Sequence, residues 1–198
     1  MSEQDEAEPT PVAERPGRYD RSSSGMVGAL LVTLLVIGAF VAFRALNRTD
    51  LEVKPGKVDY LAQVRYAQQS GADVVYPADL PSGWTATQVT FSPGPPPGLD
   101  LSMLTDGDAY VGFVESPRSV PDLLTTYVDP HATGDGSVTV SGSVASRWSV
   151  WTDESGDTAL AARRGRGRGE VTLLVFGTAT RTQLEALASS LTAAKIAG

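Results

Sequence analysis

The residues of this chain that could carry chemistry are few. Its one histidine, His131, lies in the run Asp129-Pro130-His131. Imidazole near neutral pH can serve as a general base, so a Ser–His–Asp relay would have to use His131 with a nearby serine and aspartate. No G-x-S-x-G elbow accompanies it, and a lone histidine in a polar loop is ordinarily solvated. There is no cysteine, which excludes a disulfide framework, a thiolate nucleophile and a Cys-built zinc or iron–sulfur site. A metal site would need carboxylates alone, and these are scattered; Asp106-Gly107-Asp108 lacks the downstream ligands of a calcium loop. No glycine pattern for phosphate precedes a helix. No catalytic, cofactor-binding or metal residue is assigned, and the chain reads as non-enzymatic.

One charged cluster stands out. Arg163-Arg164-Gly165-Arg166-Gly167-Arg168-Gly169 packs four arginines into six positions. On a hairpin tip, Arg163, Arg164, Arg166 and Arg168 could touch anionic lipid headgroups or a polyanionic envelope polymer. They could equally be a soluble turn whose charge keeps the hairpin from pairing with neighbours. The run Pro93 to Gly98 has the same two-sided reading, as a polyproline ligand or as a rigid connection between strands. Trp84, Trp148 and Trp151 read as packing residues.

These residues are positioned by a chain organised around Gly25 to Phe43, nineteen residues without a charge, Asn, Gln or Pro. A helix of that length covers ~28 Å, close to the hydrocarbon thickness of a bilayer. The run is longer than a signal-peptide core, and Phe40-Val41-Ala42 and Phe43-Arg44-Ala45 both put phenylalanine at the position where cleavage needs a small residue. An uncleaved, single-pass signal-anchor is expected. Arg15, Arg18 and Arg21 precede it, which favours the N-terminus in the cytoplasm and the C-terminal domain outside, although Arg44, Arg48, Lys54 and Lys57 flank the other end. Gly25, Ala29 and Thr33 line one helix face, small enough to let two helices approach as a homo-oligomer. The expected divisions are a disordered tail at 1–24, the membrane helix at 25–43, a linker at 44–56 and a domain at 57–198. From Asp50 onward there are 11 basic and 17 acidic residues, a net −6 that argues against nucleic acid.

Periodicity in the domain predicts an α+β fold: a largely antiparallel sheet of six or seven strands whose apolar face three helices cover. The helices are Lys57 to Ser70, one opening at Ser119 with Leu123 and Leu124 buried, and one capped by Thr180 and Gln183 with Leu184, Leu187, Ala188 and Leu191 inward. The strands include a short piece at 74–76, Thr85 to Ser92, a hairpin of Leu99 to Leu104 with Ala109 to Glu115, Val144 to Thr152, and Thr158 to Ala162. Gly134 to Gly136 reads as a break before Val138. Glu170 to Gly177 is apolar on both faces and therefore central.

Several landmarks recur in a fixed order: Val58-Asp59-Tyr60, Leu80-Pro81-Ser82-Gly83-Trp84, Tyr110-Val111-Gly112-Phe113, Ser116-Pro117, Trp148, Ala159-Leu160, Val175-Phe176-Gly177 and Glu185-Ala186-Leu187-Ala188. With the anchor, they resemble the actinobacterial single-pass membrane proteins grouped as domain-of-unknown-function family 4245. The resemblance implies an anchored domain outside the cytoplasm and supplies no functional residues. The Leu-Pro-x-Gly-Trp turn is also loosely similar to Mog1/PsbP-like domains, at the level of fold alone.

Together these readings favour an envelope protein that binds or supports another membrane or cell-wall component. A carrier or sensor of an apolar ligand held between sheet and helices is the alternative, and it requires a cavity there. A hydrolase built on His131 is the remote one.

Overall fold

The computed structural model describes residues 23–46 and 56–196, without the side chains at 23–25, 45–46 and 168. Residues 1–22 of the expected tail and 47–55 of the expected linker lie outside the described residues. The chain divides into two units, Met1–Val53 and Lys54–Gly198. Of the first, one helix is described, α1 (Ser23–Leu46). Its segment Met26–Arg44 is long and apolar enough to cross a membrane, and every described side chain on it is exposed. The Thr33 hydroxyl donates to the Ala29 carbonyl at 2.9 Å, so the one polar side chain of the apolar run is satisfied within the helix.

The second unit is α+β. Seven strands form one sheet in the order β2-β3-β4-β8-β7-β6-β5, with every neighbouring pair antiparallel. They are β2 (Thr85–Ser92), β3 (Gly98–Leu104), β4 (Tyr110–Ser116), β5 (Thr133–Thr139), β6 (Arg147–Thr152), β7 (Thr158–Arg164) and β8 (Val171–Gly177). Two short strands, β1 (Tyr76–Pro77) and β9 (Leu191–Thr192), pair separately. The helices are α2 (Tyr60–Gln69), α3 (Val120–Tyr127) and α4 (Arg181–Ser190).

Central β8 is buried on both faces, as its unbroken apolar run requires. Leu173 and Val175 face a core shared with Val64 and Ala67 of α2 and Leu184 and Leu187 of α4. Leu174 and Phe176 face a smaller core beneath Leu123 and Leu124 of α3. The helices thus lie on both faces of the sheet, which corrects the expectation of three helices over one. The two-sided burial of β8 leaves no alternative.

Several boundaries also differ from expectation. Helix α2 begins at Tyr60, because the Asp59 carboxylate caps it by accepting the Ala62 N–H at 3.2 Å. Gly134 to Gly136 lies inside β5, where the register shifts between Gly134 and Ser137, and Gly136 at φ +83° sits in that bulge. The strand beginning near Val144 starts at Arg147. Leu191 is buried as expected, but it stands in β9, one residue past α4. The capping box of Thr180 with Gln183 is present.

Gly177 ends β8 at φ +141°, and a Cβ there would strike the Tyr110 carbonyl across the β4–β8 ladder. Gly177→Ala combines an unfavourable backbone conformation with a backbone clash, so it is expected to lower stability by about 2 kcal/mol or more. Thermal unfolding of the full chain in detergent, followed by circular dichroism, measures this. An unchanged midpoint would mean that the strand end yields without cost.

Candidate functional site

His131 follows α3 on an exposed loop, with its side chain 76% accessible. Its Nδ1 lies 3.5 Å from Asp129 and 3.8 Å from Glu154, and its backbone N–H donates to Asp129 Oδ1 at 2.6 Å. No serine hydroxyl is hydrogen-bonded to it among the described residues, so the relay required of a hydrolase is not assembled there.

The arginine cluster is split by the fold. Arg163 and Arg164 belong to β7 rather than to a turn. Arg163 pairs with Glu170 at 2.6 Å, and Arg164 with Asp73 at 3.2 Å. Arg166 is exposed before a 3-10 turn at Gly167–Gly169, and the Arg168 side chain lies outside the described residues. Two of the four charges are therefore engaged within the protein. Trp148 is fully buried and donates to the Ala145 carbonyl at 2.8 Å, and Trp151 donates to Ser149 Oγ at 3.0 Å.

Two clefts lie on the α3 face of the sheet. The proline loop between β2 and β3 walls a cleft of about 440 Å³, with Asp100, Glu115, Ser116, Pro117 and Tyr127 on its other sides. A smaller one of about 200 Å³ is lined by Tyr110, Tyr127, Phe176 and the Asp153–Asp157 turn. Tyr127 borders both. Its ring packs on Phe176 with centroids 5.6 Å apart, and Tyr110 meets the same ring edge-on at 6.0 Å. The Tyr127 hydroxyl donates to Asp100 Oδ2 at 3.4 Å. Burial pushes the Asp100 carboxyl above the usual range, and the Tyr127 hydrogen bond opposes that shift. Gly112 lies under the Phe176 ring, where a Cβ would enter it.

A further groove of about 590 Å³ opens at the start of α2, between Lys57, Asp59, Asp79, Leu80 and Trp84. Tyr60 on its wall donates to the Pro77 carbonyl at 2.9 Å, and burial, followed by Asp79, Tyr76 and Asp59, raises its phenol to about 12. By contrast, the helix residues facing the main core (Val64, Ala67, Leu184 and Leu187) are fully buried, as packed side chains are. Beside these four side chains no solvent-accessible space is left for an apolar ligand.

Sequence reasoning did not single out Glu115. It continues the inward parity of Val111 and Phe113 on β4 and is 1% exposed. One oxygen, Oε2, accepts the Val75 N–H at 2.7 Å, and Oε1 has no hydrogen-bond partner among the described residues. Burial raises this carboxyl to about 7; the Val75 bond and then Arg164 pull it back, and Asp73 adds to the rise. The alternation of β4 was the available signal, since a glutamate at an inward position of an apolar strand must be buried.

The architecture defines an apolar helix joined to an α+β domain with a two-sided antiparallel sheet. The model of a family described as "Protein of unknown function (DUF4245)" matches residues 18–191, and the chain belongs to this family. No curated protein matches the chain. Among solved structures it is similar to a chain of the Pseudomonas aeruginosa MucA/MucB complex, at 17% identity and a TM-score of 0.36, over 62% of this chain and 35% of that one. It is also similar to a chain of MucB in complex with MucA(peri), at 18% identity and a TM-score of 0.36, over 60% and 36%. The chain spans about a third of the length of either.

A carboxyl whose folded pKa lies above its ordinary value binds its proton more tightly in the folded chain. The stability contributed by Glu115 is therefore full below about pH 4.5 and is lost as pH rises through about 7. Glu115→Gln keeps an acceptor for Val75 and never ionises. Between about pH 5 and 8 the wild-type chain should lose stability relative to the variant, by on the order of 3 kcal/mol. Urea unfolding across this range tests it, and parallel pH profiles for the two proteins would overturn the assignment.

Proposed function

We propose that this chain is a single-pass membrane protein whose α+β domain, residues 57–198, stands outside the cytoplasm and binds another envelope component without catalysing a reaction. Under this reading 1–24 is a cytoplasmic tail, 25–43 spans the bilayer and 44–56 is a tether. The observation that carries the binding role is the paired cleft about Tyr127, where aromatic rings, hydroxyls and carboxylates converge beside the small apolar core under α3. The exposed apolar helix supports the anchor. Arg166 is exposed and open to an anionic lipid or polymer, as a contact secondary to the cleft. Gly25, Ala29 and Thr33 offer a face for helix pairing within the membrane.

The absence of native cysteine makes the test direct. Ser155→Cys lies on an exposed turn and should react with a membrane-impermeant maleimide on intact cells. Protection that ends on lysis would put the domain in the cytoplasm and defeat the proposal. A photo-cross-linker on Ser92→Cys, at the rim of the larger cleft, should yield a specific adduct in membranes. The same reagent on Ser70→Cys, exposed at the end of α2, should not. Equal yields from the two positions would remove the cleft from the reading.

A further inference from the structure

Hydrogen-bond inventory narrows what the Tyr127 cleft can recognise. Four of its walls are Pro93, Pro95, Pro96 and Pro117, which have no N–H and present only carbonyl acceptors. Among the described residues no Lys, Arg, His, Asn or Gln lines it. Asp100 is half-buried within it; burial raises its carboxyl and the Tyr127 hydrogen bond lowers it. The neighbouring Arg118 is engaged along α3, donating to the Asp122 carbonyl at 3.3 Å and to Thr126 Oγ1 at 2.9 Å. Because the Tyr127 O–H is given to Asp100, its oxygen too is left as an acceptor. The donors that remain are few: hydroxyls such as those of Ser92 and Ser116, and the backbone N–H groups of the non-proline residues.

A site rich in acceptors and poor in donors selects against three ligand classes. An anion would meet Asp100 as a like charge. A sugar needs donors as well as acceptors. An apolar chain would strand the Asp100 carboxylate without water. A cation that carries its own donors fits all of the lining, and the Tyr127 ring supplies an aromatic wall suited to it. We propose that the cleft between the proline loop, Asp100 and Tyr127 receives a lysine or arginine side chain of a partner protein. The carboxylate of Asp100 accepts from the ammonium or guanidinium, the loop carbonyls share its remaining donors, and the alkyl stem lies along Tyr127. This assignment rests on the reading of the cleft as a binding surface.

The test uses the full chain in detergent micelles and the fluorescein-labelled peptide Gly-Ser-Lys-Ser-Gly, followed by anisotropy, with an arginine version alongside. Acetyl-lysine and citrulline versions keep the stem and remove the charge. Binding of the charged peptides should exceed that of the neutral ones by about tenfold or more, the worth of one charged hydrogen bond. Asp100→Asn should abolish that difference. Tyr127→Phe, which only frees Asp100 of its internal donor, should leave the preference for charge in place. Equal binding of charged and neutral peptides, indifference to Asp100→Asn, or no binding of any peptide overturns the assignment. Tighter binding of n-butylammonium than of the peptide would also overturn it, in favour of a small amine. The underlying reading fails separately. An adduct through Ser92→Cys that is insensitive to Asp100→Asn overturns the cation and leaves the binding surface standing, whereas no adduct at all removes both.

Discussion

Burial of β8 on both faces is the constraint on which the domain depends. Val171, Leu173 and Val175 point one way and Thr172, Leu174 and Phe176 the other, and all six are buried. A strand of that composition is stable only with a partner layer on each side, so the chain must send helices to both. Helices α2 and α4 close one face around Leu173 and Val175. Helix α3 closes the other over Leu174 and Phe176. Antiparallel pairing then fixes the neighbours: Phe113 of β4 and Leu160 of β7 both stand opposite Val175 and share its inward face.

The two faces are not covered equally, and that inequality creates the candidate site. Helix α3 has eight residues and is therefore ~12 Å long, whereas seven strands at a spacing of ~4.8 Å make a sheet ~29 Å across. One short helix cannot cover that width. Over β2 and β3 the α3-side positions are consequently polar: Gln88 and Thr90 are exposed, and Asp100 and Ser102 are partly so. On the opposite face the same strands contribute Leu99, Leu101 and Met103 to the main core. Asp100 follows Leu99 directly, and the strand's alternation alone separates a core position from a cleft position.

The regular part of this arrangement was legible in the sequence. The strand Thr85 to Ser92 has the bounds its β-branched and aromatic residues implied, and Ser119 and Thr180 cap their helices as their spacing indicated. Central placement of the β8 run followed from its lack of alternation. What was not legible depended on contacts distant in sequence. Arg163 and Arg164 looked like turn residues among glycines, yet their partners are Glu170 across the hairpin and Asp73, ninety-one residues away. Nothing local marks Tyr127 as the neighbour of Asp100, since one is on a helix and the other on a strand. Glu115 was legible by parity alone, and reading it required treating the inward position as binding on a charged residue.

Glu115 and Asp100 show how the same fold treats two carboxyls differently. Each is desolvated, and each accepts one hydrogen bond, from Val75 N–H and from the Tyr127 hydroxyl respectively. Glu115 lies on the face closed by two helices, where an unpartnered Oε1 has no access to water and protonation is the available relief. Asp100 lies on the face that α3 leaves open, where a ligand or solvent can reach it. Uneven cover of one sheet thus makes one carboxyl a charge to be neutralised internally and the other a charge presented outward. Of the two, Asp100 is the side chain left partly exposed, which is the condition that the proposed binding role places on it.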